Sequence, residues 1–490
     1  MSRLIRLVEK SEFAEICALY QEAVADMLAR GLEQWHWGVY PYAELLTEDV
    51  AERRLYCLAD DGRIVGAFAL YFEQGEEYAD VPWHYGTKPV CPHRLALRPG
   101  CEGRGYAREM VAFAKEQGLR HGCDCLRVDT YEPNERARKL FSGMTTRKAG
   151  YFRLPWFPLP FHCYEAPLTE TCPLLPVRMR PAYRYGDMTP WGGDGLRTVF
   201  GKDIPDARTG ESLEISAIPG LESADDLGDT LPRLIALDGE KLVGAGNADP
   251  FPLLLKLICA KSQLSVQVHP NDAYAAEHEH KLGKTEAWAI LHADEGARLL
   301  YGVRDGVTLA DLRQALESGA DVEPMIASIA VRDGDVFYMP SGMVHAIGGG
   351  ILLSEIQQSS VVTYRLWDYN RVNDKGEKRP LHIKQSLDVI DPLLRGQRAR
   401  MPDATALGLH RLLDVPAFTL DCLCVDGALA LPAHPASFRM LTALDALTLT
   451  WDGGKLALQP GESALLPACA PRLTVGGSGR ALVNAPGQAE

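Results

Sequence analysis

The chain has 490 residues, 46% of them apolar and 24% charged, with a formal net charge of −14. At roughly 100–200 residues per domain this predicts two to four globular domains, and it excludes wholesale disorder. The acidic balance argues against nucleic acid or an anionic membrane as the main partner, while leaving room for a basic pocket that takes an anionic metabolite.

In chain order, residues 7–31 read as an amphipathic helical region, and 54–73 as a hairpin turning at Asp60-Asp61-Gly62. Residues 93–99 read as a strand, 108–122 as a helix, 125–131 as a strand, and 134–141 as the start of another helix. The expected unit is α/β and spans 1–168. Residues 169–180, with three prolines between 168 and 181, are the expected linker. Beyond it, glycine and proline punctuate short apolar runs, the rhythm of an antiparallel β barrel or sandwich, interrupted by a helix-like patch at 273–283. We expect a catalytic β domain over 181–397 and a structural β domain over 398–490, the latter with short strands such as FTLDCLCV, ALTLTW and RLTV.

No run reaches the ~20 apolar residues of a membrane span, and the first residues are charged throughout with no apolar stretch of a signal peptide. None of the twelve cysteines forms a CxxC pair. Cys123/Cys125 and Cys422/Cys424 have strand-like spacing, so buried free thiols and a cytoplasmic location are expected.

Two constellations carry chemistry. The first is a glycine loop between a strand and a helix: Gly100, Gly103 and Gly105 precede a helical run, so free backbone N–H groups at a helix start can cradle a pyrophosphate. This stretch resembles the acyl-coenzyme A loop of the GNAT acetyltransferases, whose frame is arginine or glutamine, two residues, glycine, one residue, then glycine or alanine. Here the frame runs from Glu102 to Ala107, followed after a strand by Asn134, Ala137, Leu140 and Phe141. The resemblance covers roughly 3–167. It implies a GNAT fold and an acetyl-CoA cosubstrate held by Gly103, Arg104, Gly105, Tyr106, Ala107 and Asn134. Two positions depart from the family: Glu102 stands where a leading Arg or Gln is usual, and Phe141 stands where a tyrosine commonly protonates the leaving thiolate. Phe cannot donate a proton. Tyr131 and Tyr151 are candidate replacements, and His93 and Glu132 are either bases or structural residues.

The second constellation lies in the β half. Ser265, Gln267 and His269 alternate along LSVQVHPND; Lys284 and Glu286 alternate in GKTEAW; His345 and Glu355 follow in PSGMVHAIGGGILLSEIQ. Two histidines, a carboxylate and an amide oxygen form a mixed nitrogen and oxygen donor set suited to zinc with an open position. These motifs, with VTYRLWDYNR and the upstream WGG and TGESLEIS, resemble the signatures of type I mannose-6-phosphate isomerases over about 175–487. The resemblance implies a pair of cupin-type barrels or jelly rolls with a small helical insertion. It also implies one zinc per chain held by Gln267, His269, Glu286 and His345, and an essential Arg365. Lys284 and Glu355 are further catalytic candidates, and Ser265 and Arg371 fall on substrate-binding positions. The implied reaction interconverts mannose 6-phosphate and fructose 6-phosphate through an enediol, with Glu355, Lys284 or metal-bound hydroxide as the base. The alternative reading makes the GNAT half the main activity, acetylating a small amine, with the cupin half a sugar-phosphate sensor. The cluster Glu277-His278-Glu279-His280 reads as solvated surface.

Overall fold

The computed structural model describes residues 3–372 and 376–487. By contact density the chain forms two compact units, Met1–Leu175 with Trp451–Lys455, and Pro176–Thr450 with Leu456–Glu490. Among the described residues no helix is long and apolar enough to cross a membrane.

The first unit is a seven-stranded sheet in the order β1-β2-β3-β4-β5-β7-β6. Its strands are β1 (Arg3–Leu7), β2 (Leu55–Asp60), β3 (Arg63–Tyr71), β4 (Pro89–Leu97), β5 (Cys125–Tyr131), β6 (Arg147–Phe152) and β7 (Phe161–Pro167). Four helices accompany it: α1 (Phe13–Ala29), α2 (Ala43–Ala51), α3 (Tyr106–Arg120) and α4 (Glu135–Ser142). The β2–β3 turn uses Asp61 and Gly62 at positive φ, the geometry that suits a two-residue hairpin. The helix expected from residue 7 starts at Phe13 instead, because residues 3–7 pair with β2 as an edge strand. β4 begins four residues before the expected strand, since Pro89 and Val90 pair in parallel with Cys125 and Leu126 of β5. Beyond those two pairs, β4 and β5 have no further register and the sheet opens between them.

The second unit contains three sheets. One holds seven strands in the order β20-β16-β13-β18-β11-β10-β9. These are β9 (Ala182–Tyr185), β10 (Thr209–Ile215), β11 (Leu253–Ala260), β13 (Glu286–Ala293), β16 (Asp335–Met339), β18 (Ile351–Gln358) and β20 (Arg398–Arg400). A five-stranded sheet, β15-β14-β17-β12-β19, faces it. It is built from β12 (Val266–Val268), β14 (Arg298–Val303), β15 (Ile326–Ala330), β17 (His345–Ile347) and β19 (Tyr364–Trp367). Side chains of both sheets share one core, including Trp288, Ile258, Leu299, Tyr301, Phe337 and Ile347. The outer face of the smaller sheet packs on the helices Leu309–Ser318 and Ile383–Val389.

The third sheet holds β21 (Gly408–Val415), β22 (Phe418–Leu431), β23 (Arg439–Ala443), β26 (Ser463–Leu466) and β27 (Leu473–Pro486), with β24 (Leu447–Trp451) and β25 (Gly454–Leu458) attached. β22 and β27 pair along fourteen residues each, much longer than the short strands expected. The strand β8 (Val177–Met179), inside the stretch read as linker, completes this sheet beside β26. The cysteines are free, and Cys123, Cys125, Cys422 and Cys424 are buried. Cys123 precedes β5 rather than sharing its face with Cys125.

Candidate functional sites in the two units

In the second unit, direct cross-strand pairing sets the site. His345 on β17 lies opposite Gln267 on β12, and Gln267 lies opposite Arg365 on β19. Directly opposed residues project to one face of a sheet, so these three share a row on the five-stranded sheet. On the facing sheet, Trp288 of β13 lies opposite Glu355 of β18, which lies opposite Lys256 of β11. Glu286, two residues before Trp288, joins that face at the start of β13. The two faces meet where the Trp288 and His345 rings touch edge to face at 5.4 Å.

His269, Glu286 and His345 are fully buried, and one ligand-type atom of each lies within 4.8 Å of the others. Each histidine has its Nδ1 on a backbone carbonyl: His269 on Val362 O at 3.0 Å, His345 on Met343 O at 2.9 Å. A carbonyl only accepts, so Nδ1 carries a proton on both rings, which in a neutral imidazole leaves Nε2 as the lone-pair nitrogen. Those two Nε2 atoms face each other at 3.2 Å, and they lie 3.5 and 3.2 Å from the Glu286 oxygens. Neither buried Glu286 oxygen accepts a well-formed hydrogen bond from a described residue, although Lys284 Nζ is 2.7 Å from Oε2. Burial, then the Lys284 charge, push the His269 pKa down to about 3, so the ring stays neutral. Burial alone would raise the Glu286 pKa, but Lys284 and then His269 hold it well below the usual carboxylate range. Lys284 itself, despite burial, is kept charged by Glu286 and Glu355. Beside the Lys284–Glu286 ion pair, the two Nε2 atoms and the carboxylate converge on one buried point. The donor set therefore fits a metal ion, and its nitrogen and oxygen chemistry fits zinc.

The other expected residues surround this cluster. Arg365 donates from Nε to Ser265 Oγ at 3.3 Å and from Nη1 to Pro380 O at 2.9 Å. Burial, then the charges of Arg379 and Arg371, lower its pKa, the sign of a locally positive environment. Arg371 is drawn to Asp368, which also accepts from Arg379 Nε at 2.7 Å. Glu355 accepts from Lys256 Nζ and from Trp288 Nε1, both at 3.0 Å. Lys256, Trp288, Arg379 and Glu211, the last 3.6 Å from Lys256, were not singled out from the sequence. Glu211 sits inside TGESLEIS, so its motif was visible though its partner was not. The acidic cluster at 277–280 is surface: Glu277, His278 and His280 are exposed, and Glu279 accepts from Tyr364 OH.

In the first unit, Gly103 and Gly105 adopt positive φ, and Gly105 caps α3, so the loop presents its backbone at the helix start as expected. Tyr106 and Ala107 begin the helix, with the Tyr106 hydroxyl on Asp60, and Arg104 precedes them in the loop. Glu102 folds back to accept from Gly100 N at 2.9 Å and lies 3.8 Å from Arg136. Asn134 caps α4 by accepting from Ala137 N. A cavity of about 830 Å³ opens where β4 and β5 part, and His93, Tyr131, Asn134 and Phe141 line it. Burial, then the Arg94 charge, lower the His93 pKa to about 4. Glu132 pairs with His162 at 2.8 Å, and Tyr151 is exposed on β6 away from the cavity lining.

The chain thus carries an α/β unit with a glycine loop at a helix start, followed by a β unit with a buried His–Glu–His cluster that could hold a metal. The acetyltransferase (GNAT) family matches residues 17–144, and the phosphomannose isomerase type I catalytic domain matches 186–288. A mannose-6-phosphate isomerase of Streptococcus mutans is 40% identical over 286 residues, which is 56% of this chain and 88% of that one. The mannose-6-phosphate isomerase ManA of Bacillus subtilis is 43% identical over 206 residues, 41% of this chain and 64% of that one. The crystal structure of a Bacillus subtilis mannose 6-phosphate isomerase superposes with a TM-score of 0.56 at 30% identity, covering 63% of this chain and 99% of that one. The chain belongs to the type I mannose-6-phosphate isomerases and carries a GNAT domain before the isomerase part.

Proposed function

We propose that the second unit is a zinc-dependent aldose–ketose isomerase that interconverts mannose 6-phosphate and fructose 6-phosphate through an enediol, and that the first unit transfers acetyl groups from acetyl-CoA. The observation that carries the first reading is the buried convergence of the His269 and His345 Nε2 atoms with the Glu286 carboxylate. Gln267, His269, Glu286 and His345 would hold one zinc, which when bound supplies Lewis acidity to sugar oxygens. The chain's own groups do the rest. Arg365 presents a planar cation beside Ser265, fitted to a developing oxyanion or a phosphate oxygen. Lys284, held charged, can hold an oxyanion or give a proton but cannot take one in the resting site. Glu355 is anchored by Lys256 and Trp288, which fixes a carboxylate in place for proton transfer between C1 and C2. Arg371 and Arg379, sharing Asp368, supply further positive charge for the phosphate dianion.

Incubating the full chain with mannose 6-phosphate in deuterated buffer tests this. The expected outcome is fructose 6-phosphate with deuterium introduced beside the carbonyl. Conversion with no deuterium even after prolonged equilibration over many turnovers would exclude proton transfer through a solvent-exchanging base and favour a hydride shift. No conversion would exclude the isomerase and favour the sensor reading.

A further inference from the structure

The cavity of the first unit has a composition that selects among acceptors. Nine of its lining side chains are Trp, Tyr or Phe. Tyr131, Phe157 and Phe161 pack as one cluster with centroids 5.0–5.2 Å apart, and Trp35 meets Tyr40 edge to face. Its carboxylates are Glu33, Glu77 and Asp129. Arg94 is its one Lys or Arg side chain, and that charge is already committed. Arg94 sits at a bulge of β4 with φ of 52° and donates to Asp49, to Tyr71 OH at 2.9 Å and to Tyr40 OH at 3.2 Å. The space is therefore aromatic and net negative, an environment that favours an organic cation and penalises a phosphate. The volume falls within the ordinary range of small-molecule sites.

Asp129 lies at the fourth residue beyond the start of β5, past the point where β4 and β5 separate. Tyr78 OH donates to its Oδ1 at 2.7 Å. Asp129, Asn134 and Phe141 line the same cavity, so the carboxylate shares one space with the position where the family's thiolate leaves.

We propose that this cavity binds a primary amine on an aromatic or apolar body as the acetyl acceptor, that Asp129 takes the proton which frees the amine, and that phosphorylated amino sugars are excluded. The proposal rests on the acetyl-CoA reading of this unit. The bound ammonium gives one proton to Asp129. Its nitrogen then forms a bond to the thioester carbonyl carbon, and the C–S bond breaks with its electron pair going to sulfur. The second N–H proton passes to that sulfur as the tetrahedral adduct collapses, giving the amide and free coenzyme A. This route needs no hydroxyl at Phe141. Burial first raises the Asp129 pKa to about 6, Tyr78's hydrogen bond opposes the rise, and Glu77's charge adds to it. Glu33, His93 and Arg94 are the other charged or titratable groups on its cavity walls, together with His36 and the Tyr40 and Tyr131 hydroxyls.

The test uses the full chain with acetyl-CoA, and phenethylamine and glucosamine 6-phosphate as probes, following thiol release and measuring acetyl-CoA affinity by calorimetry. The expected kcat/KM for phenethylamine exceeds that for the sugar phosphate at least about 100-fold. Asp129→Asn is expected to lower kcat about 100-fold, to abolish a limb near pH 6, and to leave the acetyl-CoA Kd within about twofold. Equal or better use of the sugar phosphate, or an unchanged kcat in Asp129→Asn, overturns the proposal. So does acetyl-CoA binding without acetylation of either amine. If wild type binds no acetyl-CoA, the acyl-CoA reading itself falls, and the proposal with it. If Asp129→Asn loses acetyl-CoA binding, Tyr78→Phe decides: removing that donor must move the limb to higher pH, and an unmoved limb overturns the assignment.

Discussion

The buried charges of the isomerase unit are arranged in opposing partners on rigid strands: Lys284 with Glu286, Lys256 with Glu355, and Asp368 with two arginines. In the GNAT unit the cavity carboxylate Asp129 accepts, among the described residues, from a tyrosine hydroxyl alone, within aromatic walls. The first arrangement pairs its charges across rigid strands and gathers its nitrogen and oxygen donors at one buried point. The second keeps its carboxylate poised to titrate. On the functions proposed above, a site for a metal and a phosphate would bring its cations with it, whereas one for an amine would leave its carboxylate to be met by the substrate.

The sharpest break in that comparison is at the metal donors. His345→Ala is expected to reduce isomerisation at least about 1,000-fold while the chain stays folded, because the apolar core shared by the two sheets is extensive and keeps its own side chains. Steady-state turnover together with a thermal melt checks this. Glu286→Gln is the companion variant. Glu286→Ala would leave the Lys284 ammonium buried and unpaired, at a cost of about 3–5 kcal/mol that confuses function with folding.

Next in size is Arg365→Lys. A point charge cannot keep both the Ser265 contact and a planar fork toward substrate, so kcat is expected to fall about 100-fold. A raised KM with unchanged kcat would make Arg365 a binding residue only.

Stability sharpens the contrast from the other side. With a folded pKa near 6 against an ordinary value near 3.8, Asp129 binds more proton in the folded than in the unfolded state between those values. Its contribution to stability is therefore present at low pH and lost as pH rises through about 6. Asp129→Asn should accordingly stabilise the unit at pH 8, by at most roughly 3 kcal/mol, and have little effect at pH 4. Chemical denaturation at the two pH values measures the difference.

The smallest expected effect is at Glu102. It is held by Gly100 N in its own loop and is partly exposed, so Glu102→Arg should tighten acetyl-CoA binding only about fivefold by calorimetry.

Strand periodicity and three short motifs drew attention to His269, Glu286 and His345, which the fold brings together, while Gln267 was named as a fourth donor through the family resemblance and lies opposite His345. The anchors around them were not legible in the sequence: Lys256 reaches Glu355 through the pairing of β11 with β18, and Arg379 shares Asp368 with Arg371 across a turn. Such pairings depend on which strands become neighbours, and local sequence does not state that. In the first unit, the glycine loop was readable, but the role of Asp129 was not. Its signal was a second charge at period two from Arg127, on a strand with no other charged residue. The long β22–β27 ladder was hidden by its glycines, Gly427, Gly476, Gly477 and Gly479, which read as breaks yet sit in register.

The central claim is that isomerisation depends on a metal held by the converging histidines and Glu286. Stripping the full chain of metal with a chelator, then titrating zinc while recording mannose 6-phosphate turnover and bound metal, tests it most directly. Near-complete loss of turnover on stripping and full recovery at one zinc per chain are expected, with His345→Ala recovering neither metal nor activity. Full turnover in the metal-free chain would contradict it.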